Sequence, residues 1–202
     1  MRQRIPTTRI VIAFALWIAA LLYGVNWLLA YSFDGAKVEL PSQAPAEAQR
    51  GLGKEPTLFV FLHPKCPCSL ATAENLKQLV SRMKRSEIEP RIRVFYFCPA
   101  DGDTTWVTET RLYAQLSGFP GIQQELDRDG VLAARLGASK SGHVVVIQPD
   151  GQIAFSGGIT DQRGHEGDSL GMQAIQAILL RRSPPVRTVP VFGCRFFAGV
   201  KG

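Results

Sequence analysis

The alternation of apolar and polar positions divides the chain into an apolar segment, a polar connector and a globular region. Ile10 to Ala30 is apolar throughout except for Gly24 and Asn26. At about 1.5 Å per residue this run makes a helix roughly 31 Å long, the thickness of a bilayer core. Residues 32–56 are polar and rich in Pro, Ala and Gln (PSQAPAEAQRGLGKEP), the composition of a linker. Thr57 to Leu62 (TLFVFL) is a short continuous apolar run, as expected of a strand buried on both faces. After the loop HPKCPC, Leu70, Ala73, Leu76, Val80 and Met83 recur at spacings of three and four, which gives a helix one apolar face. Arg91 to Phe97 reads as a second strand, Glu109 to Ser117 as a helix and Gly121 to Leu126 as a short edge strand. A short helix over Val131 to Leu136 stops at Gly137. Val144 to Gln148 and Gln152 to Phe155 flank Pro149-Asp150-Gly151, a hairpin signal. Ser169 to Arg181 is the last helix, capped by Asp168 or Ser169, and a Pro-rich tail follows.

The order β-α-β-α, hairpin, helix describes an α/β sandwich with a mixed sheet, preceded by one membrane-spanning helix. The expected organisation is an N-terminus at 1–9, an anchor at 10–31, a linker at 32–56, a domain at 57–182 and a tail at 183–202.

Charge changes the picture by where it falls. The net charge is +6, but Arg2, Arg4 and Arg9 precede the apolar run, and Arg181, Arg182, Arg187, Arg195 and Lys201 follow the last helix. That leaves 15 of the 23 basic residues against all 17 acidic ones, so no basic face for nucleic acid is expected. Arginines ahead of an apolar run set its orientation. They put the N-terminus in the cytoplasm and the domain outside, held at the inner membrane and in contact with its lipid. A cleaved signal peptide is the competing reading. The apolar core is longer than the usual ~7–15 residues and no A-x-A site follows, which favours an uncleaved anchor.

An exported domain meets an oxidising compartment. Cys66, Cys68, Cys98 and Cys194 are the four cysteines. Cys66 and Cys68 lie just before a helix, whose N-terminus lowers a thiol pKa, and the thiolate is the attacking species. Pro67 stiffens the loop between them. Cys98 follows the second strand and reads as a small buried residue. Cys194 can pair with Cys98 or reach the CPC loop from the tail, and spacing alone decides neither. His63, before Pro64, reads as a packing residue of the loop.

A strand, a short loop with two cysteines and a helix (FVFLHPKCPCSLATAENL), followed by the hairpin VVVIQPDGQIAFSGG, resembles the thioredoxin superfamily over about Thr57 to Arg181. The segment is most similar to membrane-anchored thiol-disulfide proteins of the TlpA and ResA kind, and more distantly to Sco-type copper chaperones. CPC together with GHEGD resembles a bacterial group labelled RedB. The resemblance implies disulfide exchange with protein thiols or disulfides outside the cytoplasm, without a cofactor. Cys66 takes the attacking position, Cys68 is its partner, and His165 or Glu166 assists proton transfer. Two departures stand out. One residue instead of two separates the cysteines, and Lys140-Ser141-Gly142-His143 carries no proline where the superfamily has a cis-proline facing the thiols. The second departure opens an alternative in which Cys66 and Cys68, with His143 or His165, bind copper. In such a sheet, Cys98, His143 and the loop Asp161 to Asp168 are expected on one rim with the cysteines, and that loop can also offer an arginine.

Overall fold

The computed structural model describes residues 7–196, so Arg2, Arg4 and Lys201 lie outside the described residues. The chain forms two units, 1–34 and 35–202.

The first unit is helix α1 (Thr7–Ser32). It contains one apolar span of 25 residues, Thr8–Ser32, long and apolar enough to cross a membrane, with a mean hydropathy of 2.0.

The second unit is built on a five-stranded mixed sheet. In chain order its elements are α2 (Ala46–Gln49), β1 (Thr57–Leu62), α3 (Cys68–Lys84), β2 (Arg91–Cys98), α4 (Thr105–Thr108), α5 (Arg111–Leu116), β3 (Ile122–Arg128), α6 (Val131–Arg135), β4 (His143–Ile147), β5 (Ile153–Gly158) and α7 (Leu170–Leu179). The strand order is β3-β2-β1-β4-β5. β1 runs parallel to β2, and β2 to β3, while β4 is antiparallel to both β1 and β5. This is the thioredoxin-like arrangement with one added parallel edge strand.

β1 is central, which is why all six of its residues are buried and why it is apolar without alternation. Leu58, Val60 and Leu62 face a core shared with Leu76 and Leu79 of α3, Leu112 of α5 and Ile175 of α7. Phe59 and Phe61 face the other core, with Phe95, Val145 and Ala133 of α6. Helices therefore cover both faces. Ser169 caps α7, its hydroxyl accepting from the Met172 N–H at 3.0 Å, the second of the two caps anticipated.

The expected linker and tail need correction: both pack on the domain, each with part of its length. Ala44 and Ala48 are buried in the second core, and Gln43 bridges Gln152. Residues 187–191 run along the free edge of β5. The Ser156 N–H donates to the Arg187 carbonyl at 3.0 Å, and Thr188 bridges Ser156 in parallel. Gly157 makes this close approach possible, since a Cβ there would lie 2.6 Å from the Val189 carbonyl oxygen. Proline and polar residues read as tail because they cannot form a full strand. A sheet edge needs only intermittent partners to be covered. Ala36 pairs with Val191, so the two flanking segments also hold each other.

Candidate active site

The loop after β1 and the first turn of α3 bring Cys66 and Cys68 to the carboxyl end of the parallel strands. The Cys66 N–H donates to the His63 carbonyl at 3.1 Å, and the Ser69 N–H to the Cys66 carbonyl at 3.0 Å. Pro67 is the N-cap of α3 in αR conformation and Cys68 its first residue. Pro67 has no N–H to leave unpaired at this point. Cys66 is 3% exposed, whereas Cys68 is half-buried.

A third thiol joins them. Residues 193–196 return over the site, and the Cys194 N–H donates to Cys66 Sγ at 3.4 Å. Four contacts hold this strap. The Ser141 N–H donates to the Cys194 carbonyl at 2.8 Å. The Phe196 N–H donates to the Ser139 carbonyl at 3.1 Å. Arg163 Nη1 donates to the Gly193 carbonyl at 3.1 Å. Gly193 lies so close to Ser141 that a Cβ would sit 2.0 Å from its carbonyl oxygen. Phe196 is buried and stacks on Phe97, which stacks in turn on His63.

These neighbours separate the thiols electrostatically. Burial alone would raise the Cys66 pKa. Hydrogen bonds from the Cys194 thiol and N–H, the Ser69 hydroxyl and the Cys68 N–H outweigh it, and Cys66 falls below the ordinary thiol value. Two of these donors belong to the N-terminus of α3, where a negative charge is favoured. Cys68 is raised by burial and then by the charge of Cys66, with Arg163 opposing. Burial, the hydrogen bond to Cys66 and the charges of Cys66 and Cys68 push Cys194 up to about 12, again with Arg163 opposing. The site thus favours ionisation of Cys66 over that of Cys68 and Cys194.

Ser141 occupies the segment where the superfamily has its proline. Its hydroxyl accepts from the His63 N–H at 2.7 Å and lies 2.6 Å from Ser69 Oγ. The Ser69 hydroxyl also donates to the His63 carbonyl at 3.4 Å, so these groups form one hydrogen-bonded cluster under Cys66.

The expected site residues distribute as follows. Cys66 and Cys68 are together. His143 is not a free side chain of the rim: it is the first residue of β4, 1% exposed, with Nε2 2.8 Å from Ser156 Oγ. Burial lowers its pKa to about 4. His165 is half-buried, with Nδ1 unpartnered, and its carbonyl accepts from Asn75 Nδ2 at 3.4 Å. Glu166 is exposed. Among the described residues no hydrogen bond joins His165 or Glu166 to a cysteine. The 161–168 loop reaches the thiols through Arg163 instead. Asn75 clamps this loop from α3, donating to the Ile159 carbonyl at 3.0 Å and accepting from the Gly167 N–H at 2.8 Å. His63 packs between Phe97 and Trp106. Cys98 is fully buried with Arg128 Nη1 at 3.4 Å, and it is not paired with Cys194. The residues expected around copper are not assembled as a set: among the described residues no group of three His, Cys, Asp or Glu side chains is arranged to hold a metal ion. Arg163 is the arginine that the 161–168 loop was expected to offer, whereas Ser69 and Ser141 carry no motif. They enter the site through long-range packing, and Cys194 was legible only as one of two options for an unpaired cysteine.

Fold and loop together define a thioredoxin-like domain with its cysteines at the start of the first crossover helix. No protein-family model matches the chain, and no curated protein is significantly similar to it. Among solved structures, a hypothetical protein from Sinorhizobium meliloti 1021 is similar at 17% identity and a TM-score of 0.54, covering 82% of this chain and 95% of its own. An uncharacterized conserved protein from Geobacillus kaustophilus matches at 15% identity and a TM-score of 0.57, covering 83% of this chain and 93% of its own. At such identities the likeness is one of fold.

Proposed function

We propose that the protein is a membrane-anchored thiol-disulfide oxidoreductase working outside the cytoplasm, with Cys66 as the attacking thiolate. The observation that carries this reading is the Cys66 sulfur itself. It lies at the N-terminus of α3, receives hydrogen bonds from the Cys194 N–H, the Ser69 hydroxyl and the Cys68 N–H, and has two more thiols beside it. A thiolate held this way displaces one sulfur of a substrate disulfide and forms a mixed disulfide, which a neighbouring thiol then resolves. The apolar helix supports anchoring, and the arginines before it support an external domain. Protein thiols or disulfides are the substrate class.

The test uses the full chain in detergent micelles with glutathione disulfide. The wild type is expected to release glutathione and become oxidised, and Cys66→Ser to lose at least about 100-fold in rate. Equal, negligible exchange by both would overturn the reading.

A further inference from the structure

Thiol exchange through a mixed disulfide needs a resolving sulfur, and the CPC sequence offers Cys68 as the obvious one. Two features of the structure single out a different residue. Cys68 is fixed as the first residue of α3 with Pro67 in αR conformation. The two thiols are close enough to interact, but a Cys66–Cys68 bridge would close a small ring across Pro67 at the start of the helix. Cys194 arrives on a separate segment, with its backbone N–H already on Cys66 Sγ at 3.4 Å.

The strap that carries Cys194 is placed, not incidental. Its two flanking residues are pinned. The Gly193 carbonyl accepts from Arg163, and Gly193 sits against Ser141 in a space that excludes any side chain. Phe196 is anchored in the second core and bonded to Ser139. Lys140 pairs with Arg195 in an antiparallel bridge. The strap also covers Cys66, which is 3% exposed while Cys194 itself is half-buried. A substrate sulfur must displace this strap to reach Cys66, and the strap's return brings Cys194 back onto the sulfur it left.

We infer that Cys194 is the resolving cysteine of the site, and that its oxidised form is a Cys66–Cys194 disulfide tying the C-terminal strap to the CPC loop. This rests on the exchange reading above. In the first step the Cys66 thiolate attacks a disulfide RS–SR, giving Cys66–S–S–R and one RS⁻. In the second, the Cys194 sulfur attacks Cys66 Sγ, its proton passes to a departing thiolate, and the second R–S leaves. The two protein thiols give up two electrons, and one disulfide becomes two thiols.

Peptide mapping of the oxidised full chain in micelles distinguishes the two bridges. After treatment with glutathione disulfide, alkylation and tryptic cleavage, Cys66 and Cys68 share the peptide 66–77, and Cys194 lies in 188–195. A 66–77/188–195 pair joined by a disulfide is expected in the wild type, and it should persist in Cys68→Ser at a comparable yield. Cys68→Ser combined with Cys194→Ser should instead accumulate glutathione on Cys66, at least about tenfold over Cys68→Ser alone. A bridge confined to peptide 66–77, with Cys194 fully alkylated, would overturn the inference while leaving the exchange reading intact. If glutathione disulfide oxidises no cysteine in any form, the exchange reading itself fails and takes this one with it. The wild-type map needs no substitution, so the result does not depend on a variant folding.

Discussion

Cys66 follows β1 and Cys98 ends the neighbouring parallel strand β2, and both are buried, one 3% exposed and the other 0%. Each sulfur receives an N–H donor at 3.4 Å, from Cys194 and from Arg128, and the difference lies in what else surrounds it. Cys66 meets donors, from the first turn of α3, Ser69 and the Cys194 strap. Cys98 accepts from Arg128 Nη1 at 3.4 Å and donates weakly to the Gly102 and Asp103 carbonyls at 3.9 and 4.0 Å, and among the described residues no hydrogen bond joins it to another thiol. Burial therefore does not separate the cysteine proposed to attack from the other. What separates them is the company of the sulfur: Cys66 sits at a helix N-terminus beside Cys68 and Cys194, whereas Cys98 sits at a strand end against two carbonyls and Arg128.

The largest effect that would break this contrast concerns ionisation. Thiolate absorbance near 240 nm, followed against pH, should show a first step below the ordinary thiol range of about 8.5. Cys66→Ser should remove that step completely and Cys98→Ser should leave it in place. A step that survives Cys66→Ser would mean that the low-pKa sulfur is elsewhere.

The same logic extends to a buried histidine that lacks charge-stabilising donors. His143 meets a serine hydroxyl and otherwise apolar neighbours, so burial wins and its pKa falls from 6.5 to about 4. In the window between these values the unfolded chain binds the proton and the folded chain does not. Stability should be full above about 6.5 and decline as pH falls toward 4, by about 2 kcal/mol between pH 7 and pH 5. Urea midpoints at the two pH values measure it, and His143→Gln should flatten that part of the profile.

Ser69 is a graded test of the donors. It is buried, and its hydroxyl is one of the groups that lower the Cys66 pKa. Removing this donor leaves the anion less well solvated, so Ser69→Ala should raise the Cys66 pKa. Exchange at mildly acidic pH should slow and recover as pH rises. An unshifted absorbance step would show that Ser69 does not solvate the thiolate.

The smallest effect belongs to Cys98. Replacing it with Ala removes one buried sulfur and should cost about 1 kcal/mol in a urea melt, with exchange within twofold of the wild type. A large loss of exchange would place Cys98 in the chemistry after all.

Much of the fold was legible because it rests on local pattern. TLFVFL is uniformly apolar and is the central strand. The three-and-four spacing from Leu70 to Met83 is the buried face of α3, and Pro149-Asp150-Gly151 turns the hairpin. The flanking segments were misjudged because their composition is that of a linker and a tail. Ala48 and Phe196 nevertheless complete a core that the sheet and α6 leave open on one side. The site divides along the same line. Two thiols ahead of a helix can be read from order and dipole alone. Which other side chains meet them depends on contacts 72 residues apart for Ser69 with Ser141, and 128 apart for Cys66 with Cys194.

What the sequence by itself determined is therefore the class of architecture, the apolar span and the position of CPC at a helix start, because each follows from periodicity over a few neighbouring residues. The tertiary structure decided that His143 is spent on Ser156, that Arg163 rather than His165 or Glu166 approaches the thiols, and that Cys194 lies on Cys66 and not on Cys98. Those outcomes depend on how the strap closes over the rim. That closure is fixed by long-range contacts such as Gly193 against Ser141 and Phe196 in the core, which no local pattern encodes.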